Sequence, residues 1–177
     1  MTRAVFLDRD GVINRSVVRN GKSFPPATPE EFELLPDAAE TMRALRARGL
    51  LVIVVTNQPD VRTGVQTLET VEKMHRVLLD AALCDDVKAC FHVDADDCHC
   101  RKPKPGMLLD AARERNIDLA NSFMVGDRWR DIEAGNAAGC RSFFIDYRYD
   151  EQRPAPPFTV VESLADAGKI ILHSINP

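Results

Sequence analysis

No apolar run in this chain approaches the ~20 residues needed to span a bilayer, so no membrane partner is expected. An excess of positive charge is also missing. The net charge of -4 leaves no basic footprint for nucleic acid or for an anionic membrane surface. A protein so charged that handles an anionic substrate must gather its positive charge locally. The start lacks an export-type pattern, because Thr2-Arg3 leads into a short strand-like run and then Asp8. The cysteines number five, and an odd count without such a signal argues for thiols or metal rather than disulfides. The expected compartment is therefore cytoplasmic. Internal repeats, low-complexity tracts and dividing linkers are absent as well, so residues 1–177 are expected to form a single domain.

What is present is an alternation of two kinds of segment. Residues 3–7 read as a strand, and Leu50–Val55 is a continuous apolar run of the kind buried on both faces of a sheet. Val87–His92, Ser122–Val125 and Ser142–Ile145 read as further strands, the last being the final one expected. Helices are expected from Pro36-Asp37 to Gly49, with Ala38, Met42 and Leu45 at helical spacing, and over 67–83, 105–115 and 131–138. Residues 15–36 form a long polar connection with turn signals at Asn20-Gly21 and Pro25-Pro26. That connection either shapes a substrate entrance or is an ordinary surface excursion. A Pro-rich bend at 154–157 precedes a closing amphipathic segment over 161–172. Strands alternating with helices predict an α/β fold: a three-layer sandwich with a central parallel, Rossmann-like sheet. No segment is long enough for a separate cap domain.

The chemistry gathers at strand ends. In Val5-Phe6-Leu7-Asp8-Arg9-Asp10-Gly11, an apolar run stops at two carboxylates separated by one residue. Alone, this is also how a strand enters an acidic turn. However, Thr56 and Asp127 also sit at or just beyond the ends of separate apolar runs. In a parallel sheet such ends share one edge, where ligands bind. Asp8 and Asp127 could then share Mg²⁺, a hard ion that takes oxygen ligands. Thr56 and Asn57 could donate to an anion, and Arg101-Lys102 could supply the local positive charge. A carboxylate nucleophile, a cation, a hydroxyl and a lysine together describe phosphoryl transfer through an aspartyl phosphate.

Asp8-Arg9-Asp10-Gly11, Thr56-Asn57-Gln58, Arg101-Lys102-Pro103 and Gly126-Asp127 with Asp131 resemble, in order, the four motifs of the haloacid-dehalogenase superfamily of phosphatases. Within it the chain looks most like the heptose 1,7-bisphosphate phosphatases and their histidinol-phosphatase relatives. The resemblance implies that Asp8 attacks phosphorus and that Asp10 is the general acid and base. It places Mg²⁺ between Asp8, the Asp10 main-chain carbonyl and Asp127. Thr56 and Lys102 would hold the phosphoryl oxygens, while Asn57 and Arg101 would contact the rest of a small phosphorylated substrate. Asp131 would orient Lys102 or a metal-bound water, unless it is a solvated acid on a helix face. The alternatives are a histidinol-phosphate phosphatase, a phosphotransferase to an acceptor other than water, and a catalytically idle binding module. A monomer or a small homo-oligomer is expected.

A second cluster holds Cys90, His92, Cys98, His99 and Cys100 within eleven residues. Three thiols and an imidazole match a closed tetrahedral zinc site, which leaves no open position for substrate. The resembled heptose-phosphatase family carries a zinc loop of this pattern directly before its Arg-Lys motif. That implies Cys90, His92, Cys98 and Cys100 as ligands of a structural Zn²⁺ in a loop at 90–100, with His99 competing for the place of His92. Cys84 and Cys140 read as small core residues, and His75 as a surface or packed histidine. Trp129 could stack on substrate or cover apolar surface, and Arg128 and Arg130 could extend an anion funnel or lie in solvent. Pro59-Asp60 departs from the resembled families, which carry Gly at the second position; Asp60 would remove backbone freedom and add an anion beside the substrate.

Overall fold

The computed structural model describes residues 1–175, so the last two residues of the expected 1–177 domain lie outside the described residues. In chain order the elements begin with β1 (Ala4–Leu7), β2 (Val17–Arg19), β3 (Lys22–Phe24), α1 (Ala38–Ala47) and β4 (Leu51–Asn57). They continue with α2 (Asp60–Thr63), α3 (Leu68–Asp80), β5 (Asp86–Cys90), α4 (Gly106–Arg115) and β6 (Phe123–Gly126). The chain closes with α5 (Trp129–Ala138), β7 (Arg141–Ile145), β8 (Thr159–Val161) and α6 (Leu164–Ser174).

Six strands form one parallel sheet in the order β5-β4-β1-β6-β7-β8. Its central strands are buried on both faces, and their alternate side chains feed two cores. Val5, Leu7, Val52 and Val54 pack with Met42 and Leu45 of α1 and Ile171 of α6. Ala4, Phe6, Ile53 and Val55 pack with Leu108 of α4 and Ala134 of α5. A continuous apolar run is what two buried faces require. Because the chain builds β4 and β5 on one side of β1 and β6 to β8 on the other, the strand order reverses at β1. The carboxyl ends of β1, β4 and β6 therefore meet at a topological switch point, the usual ligand position in such sheets.

Two expectations need correction. The 15–36 connection contains a hairpin, in which β2 pairs antiparallel with β3 around Asn20 and Gly21. Both turn residues have positive φ, at 51° and 72°, the backbone that a two-residue hairpin turn demands and that Asn-Gly supplies. Ser142–Ile145 is not within the last strand, because β8 adds to the sheet edge beyond β7. Both missed elements have strands of three residues, too short for an alternation to show. As regular elements, the chain between β1 and α1 builds only this hairpin and a 3₁₀ turn at Pro29–Glu31.

Helix α5 lies close to the sheet because Gly135 faces it. A Cβ there would come within 2.6 Å of Met124 Cβ and 2.7 Å of Ser142 Oγ. Gly135→Ala is expected to destabilise the protein by about 1–3 kcal/mol through overpacking. A urea midpoint equal to that of the wild type would show instead that α5 can retreat freely.

Candidate active site

Lys102 is fully buried, and its Nζ donates to Asp8 Oδ1 at 2.7 Å, Asp131 Oδ1 at 2.6 Å and the Val55 carbonyl at 2.6 Å. Burial works against its charge, but Asp131 and Asp8 hold its pKa above the ordinary lysine range. Asp131 is buried too, which removes the solvated-acid reading. Its second oxygen accepts from the Arg128 amide at 2.9 Å, one of the free donors at the start of α5. That bond also explains why α5 begins at Trp129, ahead of the expected 131. The Lys102 backbone is clamped as well: Asn57 Nδ2 donates to its carbonyl at 3.0 Å, and its amide donates to Asn57 Oδ1 at 3.1 Å.

Asp10 belongs to a second buried network. Arg9, with no exposed surface, donates from Nη2 to both Asp10 oxygens at 3.1 and 3.0 Å. Its Nη1 meets His75 Nε2 at 3.1 Å, and Phe32 lies under the guanidinium. A guanidinium only donates, so His75 must be neutral with Nε2 as acceptor. Burial first, and then the Arg9 charge, push its pKa down to about 4, in keeping with that state. Gln58 Nε2 donates both to Asp10 Oδ2 at 2.8 Å and to Thr56 Oγ1 at 2.9 Å. With that lone pair engaged, the Thr56 hydroxyl keeps its own proton to donate into the cleft.

Asp127 completes the site. One of its oxygens accepts from the Tyr149 hydroxyl at 2.8 Å, and the other is buried with no hydrogen-bond partner. The carboxylate oxygens of Asp8, Asp127 and Asp131 lie within 4.8 Å of one another. Three negative charges face one ammonium, leaving two uncompensated. Burial first and then Asp131 push Asp8 up to about 7, and burial with Asp8 and Asp131 raises Asp127 well above the carboxylate range. An orphaned carboxylate oxygen beside excess negative charge suits a hard divalent cation such as Mg²⁺. The residues present therefore fit that ion.

At the end of β5, Cys90, His92, Cys98 and Cys100 converge. Their sulfur atoms are 3.2–3.7 Å apart, and His92 Nδ1 lies 3.4 and 3.6 Å from two of them. A tetrahedral zinc site with bonds near 2.3 Å has sulfur–sulfur edges of about 3.8 Å, so this donor set fits zinc. His99 points elsewhere and pairs with Asp110 at 2.8 Å. Cys84 and Cys140 sit in the two cores.

An open cleft of about 280 Å³ lies above Asp8, Asp10, Thr56 and Lys102. Asn57 lines it, but Arg101 does not: its guanidinium turns to Asp94 at 2.7 Å and to the His92 carbonyl at 3.0 Å. The cations that line the cleft besides Lys102 are Lys22, Arg128 and Arg130. Trp129 carries the Arg130 guanidinium 4.7 Å above its ring. Sequence reasoning passed over Lys22 and Tyr149 entirely. Lys22 sits in an exposed hairpin strand, and no pattern marks it. Asp60 also lines the cleft, but it opens α2 without a left-handed backbone, so no glycine is required there.

Comparison with known proteins agrees with this geometry. The sequence model of the haloacid dehalogenase-like hydrolases matches residues 18–139. A D-glycero-beta-D-manno-heptose-1,7-bisphosphate 7-phosphatase of Rhodopseudomonas palustris is 40% identical over 152 residues, covering 79% of this chain and 81% of the relative. A D-glycero-alpha-D-manno-heptose-1,7-bisphosphate 7-phosphatase of Mycobacterium tuberculosis is 39% identical over 156 residues, with coverage of 80% and 78%. Among solved structures, the D,D-heptose 1,7-bisphosphate phosphatase of B. bronchiseptica, complexed with magnesium and phosphate, matches with a TM-score of 0.82 at 30% identity. That match covers 97% of this chain and 99% of the other. The chain belongs to the haloacid dehalogenase-like hydrolase family. Its class of activity is that of a phosphatase.

The crowded carboxylates set a pH dependence. Folded Asp8 keeps its proton up to about 7, against 3.8 for an ordinary aspartate. The folded state thus binds more protons than the unfolded one across that window, and this contribution to stability falls as pH rises through it. Melting of the metal-free protein is expected to show that fall, and Mg²⁺ should raise Tm more at pH 8 than at pH 5. Equal Mg²⁺ stabilisation at the two pH values would contradict the shared-cation reading.

Proposed function

We propose that this phosphatase is a Mg²⁺-dependent phosphomonoester hydrolase that acts through an aspartyl phosphate on heptose 1,7-bisphosphate or a related sugar phosphate. The observation that carries the mechanism is Asp8, held at the cleft by a buried ammonium 2.7 Å away. The substrate follows from the heptose-bisphosphate phosphatases that resemble the chain over most of its length. Asp8, the Asp10 main-chain carbonyl and Asp127 would hold Mg²⁺, which when bound neutralises charge at the transferred phosphoryl group. Asp8 attacks phosphorus, and the bond to the leaving oxygen breaks as Asp10 supplies its proton. In the second half, Asp10 takes a proton from water, whose oxygen attacks the phosphorus and releases Asp8. Thr56 donates to one phosphoryl oxygen, and Lys102 reaches another by redirecting the proton it gives Asp8, while its charge offsets repulsion between Asp8 and an incoming anion. Asn57 contributes by clamping the Lys102 peptide as well as by facing the substrate. Arg101 would reach the substrate only by leaving Asp94.

Cys90, His92, Cys98 and Cys100 are proposed to hold a structural Zn²⁺ that fixes the 90–100 loop leading into Arg101 and Lys102. The loop is embedded in a single domain, with no nucleic acid or membrane partner.

Phosphate release from a panel of phosphorylated metabolites tests the reading. Heptose 1,7-bisphosphate should be preferred over histidinol phosphate, hexose phosphates and nucleotides. Asp8→Asn should lower turnover by on the order of 10⁴-fold or more at nearly constant volume. Substantial turnover by that variant would defeat the nucleophile assignment, and preference for another substrate would defeat the heptose assignment alone. Zinc removal should speed hydrogen exchange across 90–102 and raise KM. Indifference of both to complete removal would end the loop-holding role.

A further inference from the structure

The family match ends at residue 139, yet one contact to the cluster of acids comes from beyond it. Tyr149 follows β7, and its hydroxyl donates to Asp127 Oδ2 at 2.8 Å. Ser16 Oγ lies 3.3 Å from the same hydroxyl, which places the phenol between the metal-facing acid and the segment that leads into β2. The next residue binds the hairpin directly, since the Asp150 amide donates to the Gly21 carbonyl at 2.9 Å. Gly11, with φ of +87°, stands against the same oxygen: a Cβ there would fall 2.1 Å from Asp127 Oδ2 and 3.3 Å from the Tyr149 hydroxyl. The glycine thus leaves room for the oxygen that the phenol holds. The other Asp127 oxygen is buried and unpartnered.

We propose that Tyr149 is a positioning residue: it fixes one oxygen of Asp127, presents the other to the cation, and ties the metal site to the cleft-lining hairpin. This rests on the Mg²⁺ reading given above. The physical basis is that a carboxylate with one oxygen anchored has its rotation fixed, so the ligand atom needs no ordering when the ion arrives. Outer partners of this kind contribute about 10–100-fold to metal affinity or activity. Tyr149 does not line the cleft above Asp8, so its effect should appear first in the metal requirement.

The test is Tyr149→Phe, with Tyr147→Phe as a control that strips a hydroxyl from the neighbouring ring. Mg²⁺ binding is read twice, by the metal-dependent rise in Tm and by the Mg²⁺ concentration that half-saturates turnover. Tyr149→Phe should raise both half-saturation points by about 10–100-fold. Its kcat at saturating Mg²⁺ should fall much less, and Tyr147→Phe should leave the metal dependence as it is. Wild-type Mg²⁺ affinity in Tyr149→Phe would overturn the proposal while leaving the Mg²⁺ reading intact. A wild-type protein that shows no Mg²⁺ response in either measurement would overturn both. A fall in kcat with no change in metal affinity would also overturn it, by assigning the hydroxyl to another task.

Discussion

Lys102 Nζ is surrounded by three oxygens at 2.6–2.7 Å, from the end of β1, the last turns of β4 and the first turn of α5. An ammonium has three protons, and here all three are matched. That match is required, because an ion taken out of water costs several kcal/mol unless its partners are complete. The constraint spreads outward. Asp131 must face inward, so Gly126 beneath it can carry no side chain: a Cβ there would lie 2.1 Å from Asp131 Cβ. The segment bearing Lys102 lies outside the sheet and is held through its peptide by Asn57 at the end of β4. The convergent thiols and imidazole end two residues earlier.

Around that group, two buried cations divide four carboxylates unequally. Arg9 serves Asp10 alone, whereas Lys102 serves Asp8 and Asp131. Asp127 makes no ion pair among the described residues and accepts only from a phenol hydroxyl, with the Arg128 charge nearby. The division has a chemical consequence. Asp10 is held in place by a guanidinium that has no other acid to face. Asp8 and Asp127, crowded together, hold protons more tightly than ordinary aspartates unless a positive charge joins them. His75 matters here because its neutral ring takes one Arg9 amino group and so directs the other toward Asp10. The packed-histidine reading of the sequence was therefore right about burial and silent about the partner.

What could be read from sequence follows from where each signal comes from. Strands buried on both faces must be continuously apolar, so Leu50–Val55 and the short runs before Asp8 and Asp127 announced the sheet and its catalytic edge together. The convergence of Cys90, His92, Cys98 and Cys100 was legible because donors that meet within one loop lie near one another in sequence; that His92 rather than His99 joins the thiols needed coordinates. Asp131 could be read either way, since a first-turn acid looks the same whether it caps the helix, pairs with a lysine or faces water. Arg101 was placed at the cleft because the resembled motif carries it together with Lys102. However, consecutive residues in a loop need not point the same way, and Asp94 draws Arg101 aside. Of the hairpin only the Asn20-Gly21 turn was legible, and β8 and Tyr149 left no trace, because three-residue strands and a lone aromatic follow no period.

The same difference between interior and rim bears on substrate choice. Arg101 and Arg130 both pair with Asp94, whose side chain is 64% exposed, and Arg128 pairs with Glu151. Exposed ion pairs of this kind are worth only about 0–1 kcal/mol. A substrate anion that displaces Asp94 from Arg130 therefore loses little, and the arginine is already oriented by the Trp129 ring beneath it. Lys102 cannot exchange partners so cheaply, because each of its bonds is buried. Replacement of a side chain at the rim can thus change which phosphorylated substrate is accepted while the buried charges beneath it stay in place. This is why motif residues identify the reaction more readily than the substrate.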